Sequence, residues 1–174
     1  DRAEKTLAAG KKTGIDVDDA QTLYPAITLA LDRGNWETAR AAATSAQNAT
    51  VAMKGTLHAD FTLIELGLRA LTEPDEILKP VFANYFRSLE TSSTRDTPDA
   101  QFNLLFAAYL ASHAGHAELA KTALSHVTSL SRSGDYPYLS SLLVVVDAEL
   151  ARTTGNPQQA IALLKSHIDG SEYY

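Results

Sequence analysis

One spacing occurs three times in this chain of 174 residues: Leu29-Ala30-x3-Gly34-x4-Ala39, Leu110-Ala111-x3-Gly115-x4-Ala120 and Leu150-Ala151-x3-Gly155-x4-Ala160. The first two glycines are 81 residues apart and the last two are 40 apart. A period near 40 fits both intervals if one degenerate copy lies inside the longer one. Repetition on this scale marks stacked supersecondary units, each too small to bury its apolar face alone. It constrains the fold more than any other feature of the chain, and it points away from a compact catalytic core.

Each copy reads as helix, tight turn, helix. The Leu-Ala pair closes the apolar stripe of the first helix. The glycine follows one turn later, where a helix end favours a left-handed residue without a Cβ. Asn35, His116 and Asn156 come next; asparagine caps a following helix well, and Pro157 suits a first helical position. The alanine five residues past each glycine is small enough for two helices to approach closely. Beyond it, Ala39/Ala43/Ala46, Ala120/Leu124/Val127 and Ala160/Leu164/His167 fall on one helical face. In the degenerate copy, Leu68-Arg69 takes the place of Leu-Ala and Glu73 that of the glycine, and Leu78, Phe82 and Tyr85 form the face. Pro80 marks a late helix start or a kink there.

These signals predict paired helices at about 19–33 with 36–49, 56–72 with 75–91, 98–113 with 116–132, and 137–154 with 157–168. Thr97 and Pro98 fit an N-cap followed by a first helical residue. Thr50–Gly55, Thr91–Thr97 and Ser131–Tyr136 are linkers. Residues Asp1–Ala9 read as the tail of an earlier helix, and Gly10–Asp19 as a polar connector. Val144-Val145-Val146 is prone to strand formation, but the helical period around it dominates. The expected fold is therefore all-α: a right-handed superhelix of about four stacked antiparallel hairpins, an α-α solenoid, forming one domain over 1–174. Its repeats lie at 19–49, 56–91, 98–132 and 137–168.

The G-x4-A signature with its upstream Leu-Ala pair resembles the tetratricopeptide repeat superfamily over about residues 19–168. The resemblance implies that Gly34, Gly115 and Gly155 end first helices and that Ala39, Ala120 and Ala160 pack hairpins together. The period exceeds the family's 34 residues by about a turn. The family's early Trp and closing Pro have no consistent counterparts, and Trp36 lies just past the first turn. Longer repeats of this kind resemble helical domains attached to bacterial signalling and transcription-regulator proteins.

Composition excludes several functions. The chain is 45% hydrophobic and 21% charged, in the globular range. It contains no apolar run near 18 residues, so no transmembrane helix is expected. The formal net charge of −6 argues against nucleic acid. The one dense basic pair, Lys11-Lys12, reads as a solvated turn. Cysteine is absent, which removes thiolate chemistry without fixing the compartment. Asp1-Arg2-Ala3-Glu4-Lys5 is no signal peptide. Without an initiator Met, and with the apolar Ala160-Ile161-x-Leu163-Leu164 so near the end, the chain reads as a fragment of a longer array or as one that self-associates through its last helix.

No catalytic constellation stands out. There is no G-x-S-x-G elbow and no phosphate loop around Gly10 or Gly14. His113-x2-His116 with Glu118 lacks a further metal ligand at a convincing spacing, and His58, His126 and His167 are isolated. Asp16, Asp18 and Asp19 lack the glycine and distal Glu of a calcium loop, so helix capping explains them. Phe82, Tyr85 and Phe86 belong to a core. Tyr136 and Tyr138 either staple a helix start or line a peptide site. No enzyme activity, cofactor or metal is expected.

The expected function is a protein-interaction or scaffold module of a larger, bacterial signalling or regulatory protein. By resemblance, a protein or peptide would occupy a concave groove lined by first helices. Candidate contact residues on their solvent side are Gln21, Tyr24, Thr28, Asp60, Tyr109, Ser112, Glu149 and Arg152. The alternative is a sensory domain that binds a small ligand between helices. Open grooves favour the first and a closed apolar pocket with convergent polar groups the second.

Overall fold

Gly34, Gly115 and Gly155 each carry a positive φ, of +68°, +88° and +86°, and each closes its helix with the same two hydrogen bonds. The glycine N–H donates to the carbonyl three residues back, and the next residue's N–H reaches the carbonyl five residues back. These bonds are Gly34 to Leu31 and Asn35 to Ala30, Gly115 to Ser112 and His116 to Ala111, and Gly155 to Arg152 and Asn156 to Ala151. This is the Schellman closure, which satisfies carbonyls that a helix end otherwise leaves open. The alanine of each Leu-Ala pair is thus the acceptor of the longer bond. Asn35 then caps the next helix, its Oδ1 accepting the Thr38 N–H at 3.2 Å.

The computed structural model describes residues 18–50, 56–92 and 94–170, with side chains at 24–50, 58–92 and 94–168. The early helix tail, the polar connector up to residue 17, Lys11-Lys12, Asp16 and linker residues 51–55 lie outside these. Among the described residues the chain is all-helical: α1 Asp18–Asp32, α2 Trp36–Thr50, α3 Thr56–Thr72, α4 Asp75–Glu90, α5 Pro98–His113, α6 Ala117–Leu124, a short 3-10 helix Ser129–Arg132, α7 Pro137–Thr153 and α8 Pro157–Gly170. The chain divides after Thr72 into two compact units.

In the first unit α2 packs against both α1 and α3. Its inward face is Ala39, Ala43 and Ala46, all fully buried, against Ile27, Ala30, Phe61 and Leu68. Three alanines in line leave room for the bulk of Phe61 and allow close helix approach.

In the second unit α5 is the central helix, touching α4, α6 and α7, while α7 also carries α8. Leu78, Phe82 and Phe86 supply the buried face of α4, with Tyr85 only partly covered. Ala120 and Ala123 bury α6 against α5, and Ala160 packs with Ala148 and Ala151. Thr97 caps α5 by accepting the Ala100 N–H at 3.3 Å, with Pro98 in the first turn.

Three expectations need correction. Of the two readings of Pro80, the late helix start is overturned: α4 runs through it from Asp75, and only one i→i−4 bond is forgone. The helix expected over 116–132 stops at Leu124. The buried Gln101 causes this, because its Oε1 accepts the Thr128 N–H at 3.0 Å and the Ser131 hydroxyl at 3.1 Å. A backbone donor that a continuing helix would need is captured by a side chain, and Leu124 and Val127 are left half-buried. Leu164 is exposed rather than inward, and Leu163 packs in its place.

An added Cβ at Gly155 or Gly134 would meet no atom within 4 Å, and only Gly155 has a positive φ. Gly155→Ala should therefore cost about 1–2 kcal/mol from backbone conformation alone, and Gly134→Ala less than about 0.5 kcal/mol. Ala120→Leu should overpack the buried site and cost roughly 1–3 kcal/mol. Urea denaturation checks all three; unchanged stability in Ala120→Leu would place that alanine outside the core.

Candidate functional site

Helix α5 is covered on most sides, with Leu104, Leu105, Ala107, Ala108, Leu110, Ala111 and Ser112 buried. Its remaining stripe, Phe102, Phe106, Tyr109 and His113, recurs at i, i+4, i+7 and i+11 and is half-buried to exposed. The rings stand in a row. Phe102 and Phe106 centroids are 5.9 Å apart with planes 8° from parallel, Phe106 and Tyr109 are 6.4 Å apart at 27°, and Tyr109 and His113 are 5.9 Å apart at 18°.

Helix α7 sends a matching stripe to the same side: Tyr138, Leu142, Val145, Glu149 and Arg152. Phe102 meets Tyr138 at 6.4 Å near the start of both helices, and Tyr138 in turn meets Tyr136 edge-on at 6.2 Å. Near the other end, His113 Nδ1 donates to Glu149 Oε1 at 2.8 Å. Starts meet starts and ends meet ends, so the two helices run parallel. The residues of the His113–Glu149 pair are 36 apart in sequence, as are Phe102 and Tyr138.

The polar end is tightly organised. Arg152 donates from Nε to Glu149 Oε2 at 2.7 Å and from Nη2 to Oε1 at 2.6 Å, a bidentate fork that fixes both groups. The Glu149 side chain is only 10% exposed. The Arg152 guanidinium holds its carboxyl below the ordinary carboxylate range, with His113 adding to this and burial opposing it. Behind it, the Thr153 hydroxyl donates to the Glu149 carbonyl, so the Ser112 hydroxyl donates to Thr153 Oγ1 at 2.9 Å.

Of the eight residues expected to contact a partner, Tyr109, Glu149 and Arg152 come together on this face. Ser112 does not: it is fully buried and bonds α5 to α7. The expected solvent side of α5 was displaced by one residue, and His113 holds the exposed position. Tyr24, Thr28 and Asp60 belong to the other unit and are exposed. Tyr24 meets Phe61 edge-on at 5.9 Å, and Thr28 donates to the Tyr24 carbonyl at 3.1 Å. Gln21 lies in α1, with its side chain outside the described residues. Phe102, Phe106 and His113 share this face although they are not among the expected contact residues, and their spacing is visible in the sequence. Tyr136 and Tyr138, read there as either staple or site, join the aromatic row.

His113 and His116 point to different surroundings: His113 reaches Glu149, and His116 lies edge-on to Phe82 at 5.9 Å. No group of three metal-ligating side chains converges among the described residues. A cavity of about 260 Å3 in the second unit is lined by Glu90, Arg95, Asp96, Gln101, Leu104 and His126, among others. Several of its polar groups pair with one another, whereas the buried Thr128 hydroxyl in its lining has no hydrogen-bond partner. His126 pairs with Glu90 at 3.1 Å, and Gln101 holds the Arg95 carbonyl as well as the segment after α6. None of the described helices is long and apolar enough to cross a membrane.

No protein-family model matches the chain, and comparison with curated proteins and with solved structures likewise finds no match.

The two perturbed carboxyls predict opposite pH behaviour. Glu149 ionises more readily when folded, so its stabilisation is complete above its ordinary pKa of 4.5 and is lost as pH falls through the depressed folded value. Glu149→Gln should lower the urea midpoint at pH 7, and the gap to the parent should close on acidification below that value. Burial raises the Asp147 carboxyl, partly offset by Arg132. Its ionised form opposes folding, so Asp147→Asn should raise the midpoint at pH 7, with the gain vanishing below its ordinary 3.8. A pH-independent difference in either variant would contradict the assignment.

Proposed function

We propose that this chain is a non-catalytic, tetratricopeptide-like interaction module that binds a peptide segment of a protein partner across the α5–α7 face. One observation carries the reading: a continuous aromatic row from Tyr138 and Phe102 to Tyr109 remains partly open to solvent, although α5 is otherwise buried. Phe102 is 38% exposed and Tyr138 49%. A contiguous apolar patch that packing within the chain does not need marks a recognition surface. Its aromatic anchors and Arg152 are the residue types that dominate binding energy at interfaces. The repeat supports the same reading, since parallel first helices would present such stripes side by side. A place within a larger regulatory or scaffold protein follows from the resemblance of the longer repeat. The sensory alternative would use the cavity beside α5, where Gln101 is committed to the segment after α6 and His126 pairs with Glu90, while the Thr128 hydroxyl has no hydrogen-bond partner.

Selection from a random dodecapeptide library tests this directly. Peptides enriched on the parent chain should lose most of their binding to the double variant Phe102→Ser/Tyr138→Ser, whose changes are at exposed positions. No enrichment, or enrichment equal on both chains, contradicts the proposal.

A second surface supports self-association. Helix α8 leaves Ile161, Leu164 and Ile168 exposed at i, i+3 and i+7, by 46%, 39% and 57%, an apolar stripe suited to another helix. Sedimentation over a concentration series should show a reversible dimer that Leu164→Glu shifts to monomer. A parent chain that stays monomeric throughout rules this out.

A further inference from the structure

We propose that the cavity between the start of α5 and the segment after α6 binds a small organic cation, an ammonium group carried on an aliphatic body. This site is separate from the α5–α7 face and does not depend on peptide binding there. The cavity measures about 260 Å3. A water takes about 30 Å3 of liquid, so the space holds on the order of nine non-hydrogen atoms. Leu89, Ala100, Leu104 and Val127 give it apolar walls, which suit a hydrocarbon body.

Hydrogen-bond polarity sets the other end of the ligand. Much of the donor supply around the cavity is already spent. At the start of α5 the Ala100 N–H goes to Thr97 Oγ1 and the Gln101 N–H to the Thr97 carbonyl. The Thr128 N–H goes to Gln101 Oε1, and Gln101 Nε2 donates to the Arg95 carbonyl. Acceptors remain in the lining. Glu90 pairs with His126 through Oε1 at 3.1 Å, a contact that does not use Oε2. The Ser125 hydroxyl gives its hydrogen to the Thr122 carbonyl at 2.6 Å and keeps its lone pairs. The Thr128 hydroxyl is buried without a partner. It stands at the N-cap of the 3-10 helix, where a threonine ordinarily accepts a backbone N–H, and it makes no such bond. Rotation about χ1 turns a hydroxyl of this kind toward a ligand at the wall, and a donor there relieves the cost of leaving it unpaired. An ammonium brings three N–H donors and no acceptor.

Charge agrees with this polarity. Glu90 and Asp96 place two carboxylates on the lining against one guanidinium, that of Arg95. Arg95 Nε stands 3.6 Å from Asp96 Oδ2, and the two side chains are 63% and 64% exposed, so this pair is loose and solvated. An anion would meet both carboxylates, with Arg95 as its one permanently charged partner. A cation finds the carboxylates at the mouth, the unpaired hydroxyl in the wall and apolar surface for its body.

Ligand-observed NMR titrations of the full chain with three probes of similar shape test the inference: cyclohexylmethylammonium, cyclohexylmethanol and cyclohexanecarboxylate. The ammonium should bind saturably, the alcohol roughly tenfold more weakly, and the carboxylate not at all. Glu90→Gln should weaken the ammonium about tenfold, as for the loss of one charged hydrogen bond. Thr128→Val keeps the side-chain shape and the backbone bond to Gln101. It should weaken the ammonium about fivefold and raise the melting temperature of the ligand-free chain, because an unpaired buried hydroxyl is removed. A threonine with a merely structural role would not give that pair of changes. Tyr138→Ala, on the aromatic face, should leave ammonium binding unchanged. No saturable ammonium binding up to about 5 mM, a concentration that reveals even millimolar affinity, overturns the inference. Equal binding of the three probes does so too, as does ammonium binding that neither Glu90→Gln nor Thr128→Val weakens. Binding lost in Tyr138→Ala alone would place the cation on the aromatic rings instead and overturn the cavity site. Peptide selection on the α5–α7 face is read separately, so either reading can fail alone.

Discussion

The left-handed glycine that closes α1, α5 and α7, with its pair of backbone bonds, is the constraint on which the remaining structure depends. It satisfies the end of one helix and turns the chain back within two residues, so the next helix must pack on its predecessor. That forced approach is why a small residue is needed five positions later, and why Ala39 and Ala120 are fully buried. In the second unit the same closure at α5 and α7 places two first helices in parallel. Ser112 and Thr153, one period apart, then meet at 2.9 Å.

The packing alanines and glycines are used up in holding the helices together, so in the proposed function recognition would fall to the stripes they leave outside. Along α5 that stripe is aromatic, and along α7 it runs from Tyr138 through Val145 to the Glu149–Arg152 pair. Exposed aromatic rings oppose the hydrophobic drive that buries the rest of α5. An aligned row of them, closed at one end by a bidentate ion pair, is costly to keep unless something covers it. The ion pair limits the apolar surface and supplies directional donors where it stops.

Helix positions were legible because their signals are local. Thr97-Pro98, Asn35 and Pro157 mark starts, and the three glycines mark stops, wherever the helices later pack. The errors arose from contacts distant in sequence. Gln101 cuts short the helix after Ala120 by bonding Thr128 and Ser131, a competition that no local propensity encodes. Ser112 and His113 are adjacent, and which of them faces solvent depends on where α7 packs. The site was half legible for the same reason. Tyr109, Glu149 and Arg152 could be placed from helical period, whereas the joining of Phe102 to Tyr138 needed the register between helices. The i, i+4, i+7, i+11 spacing of Phe102, Phe106, Tyr109 and His113 was the available clue. It was obscured because α5 is apolar around most of its circumference, which leaves no polar face to contrast with the stripe.

The parallel, one-period register of α5 and α7 underlies the whole account, and disulfide trapping measures it directly, because the chain contains no cysteine. Ser112→Cys combined with Thr153→Cys should oxidise readily to an intramolecular disulfide, since the two hydroxyls already lie 2.9 Å apart. Ser112→Cys combined with Ser141→Cys should not, because Ser141 lies about 18 Å further back along α7. Crosslinking of the second pair and not the first would contradict the register, and with it the shared aromatic face.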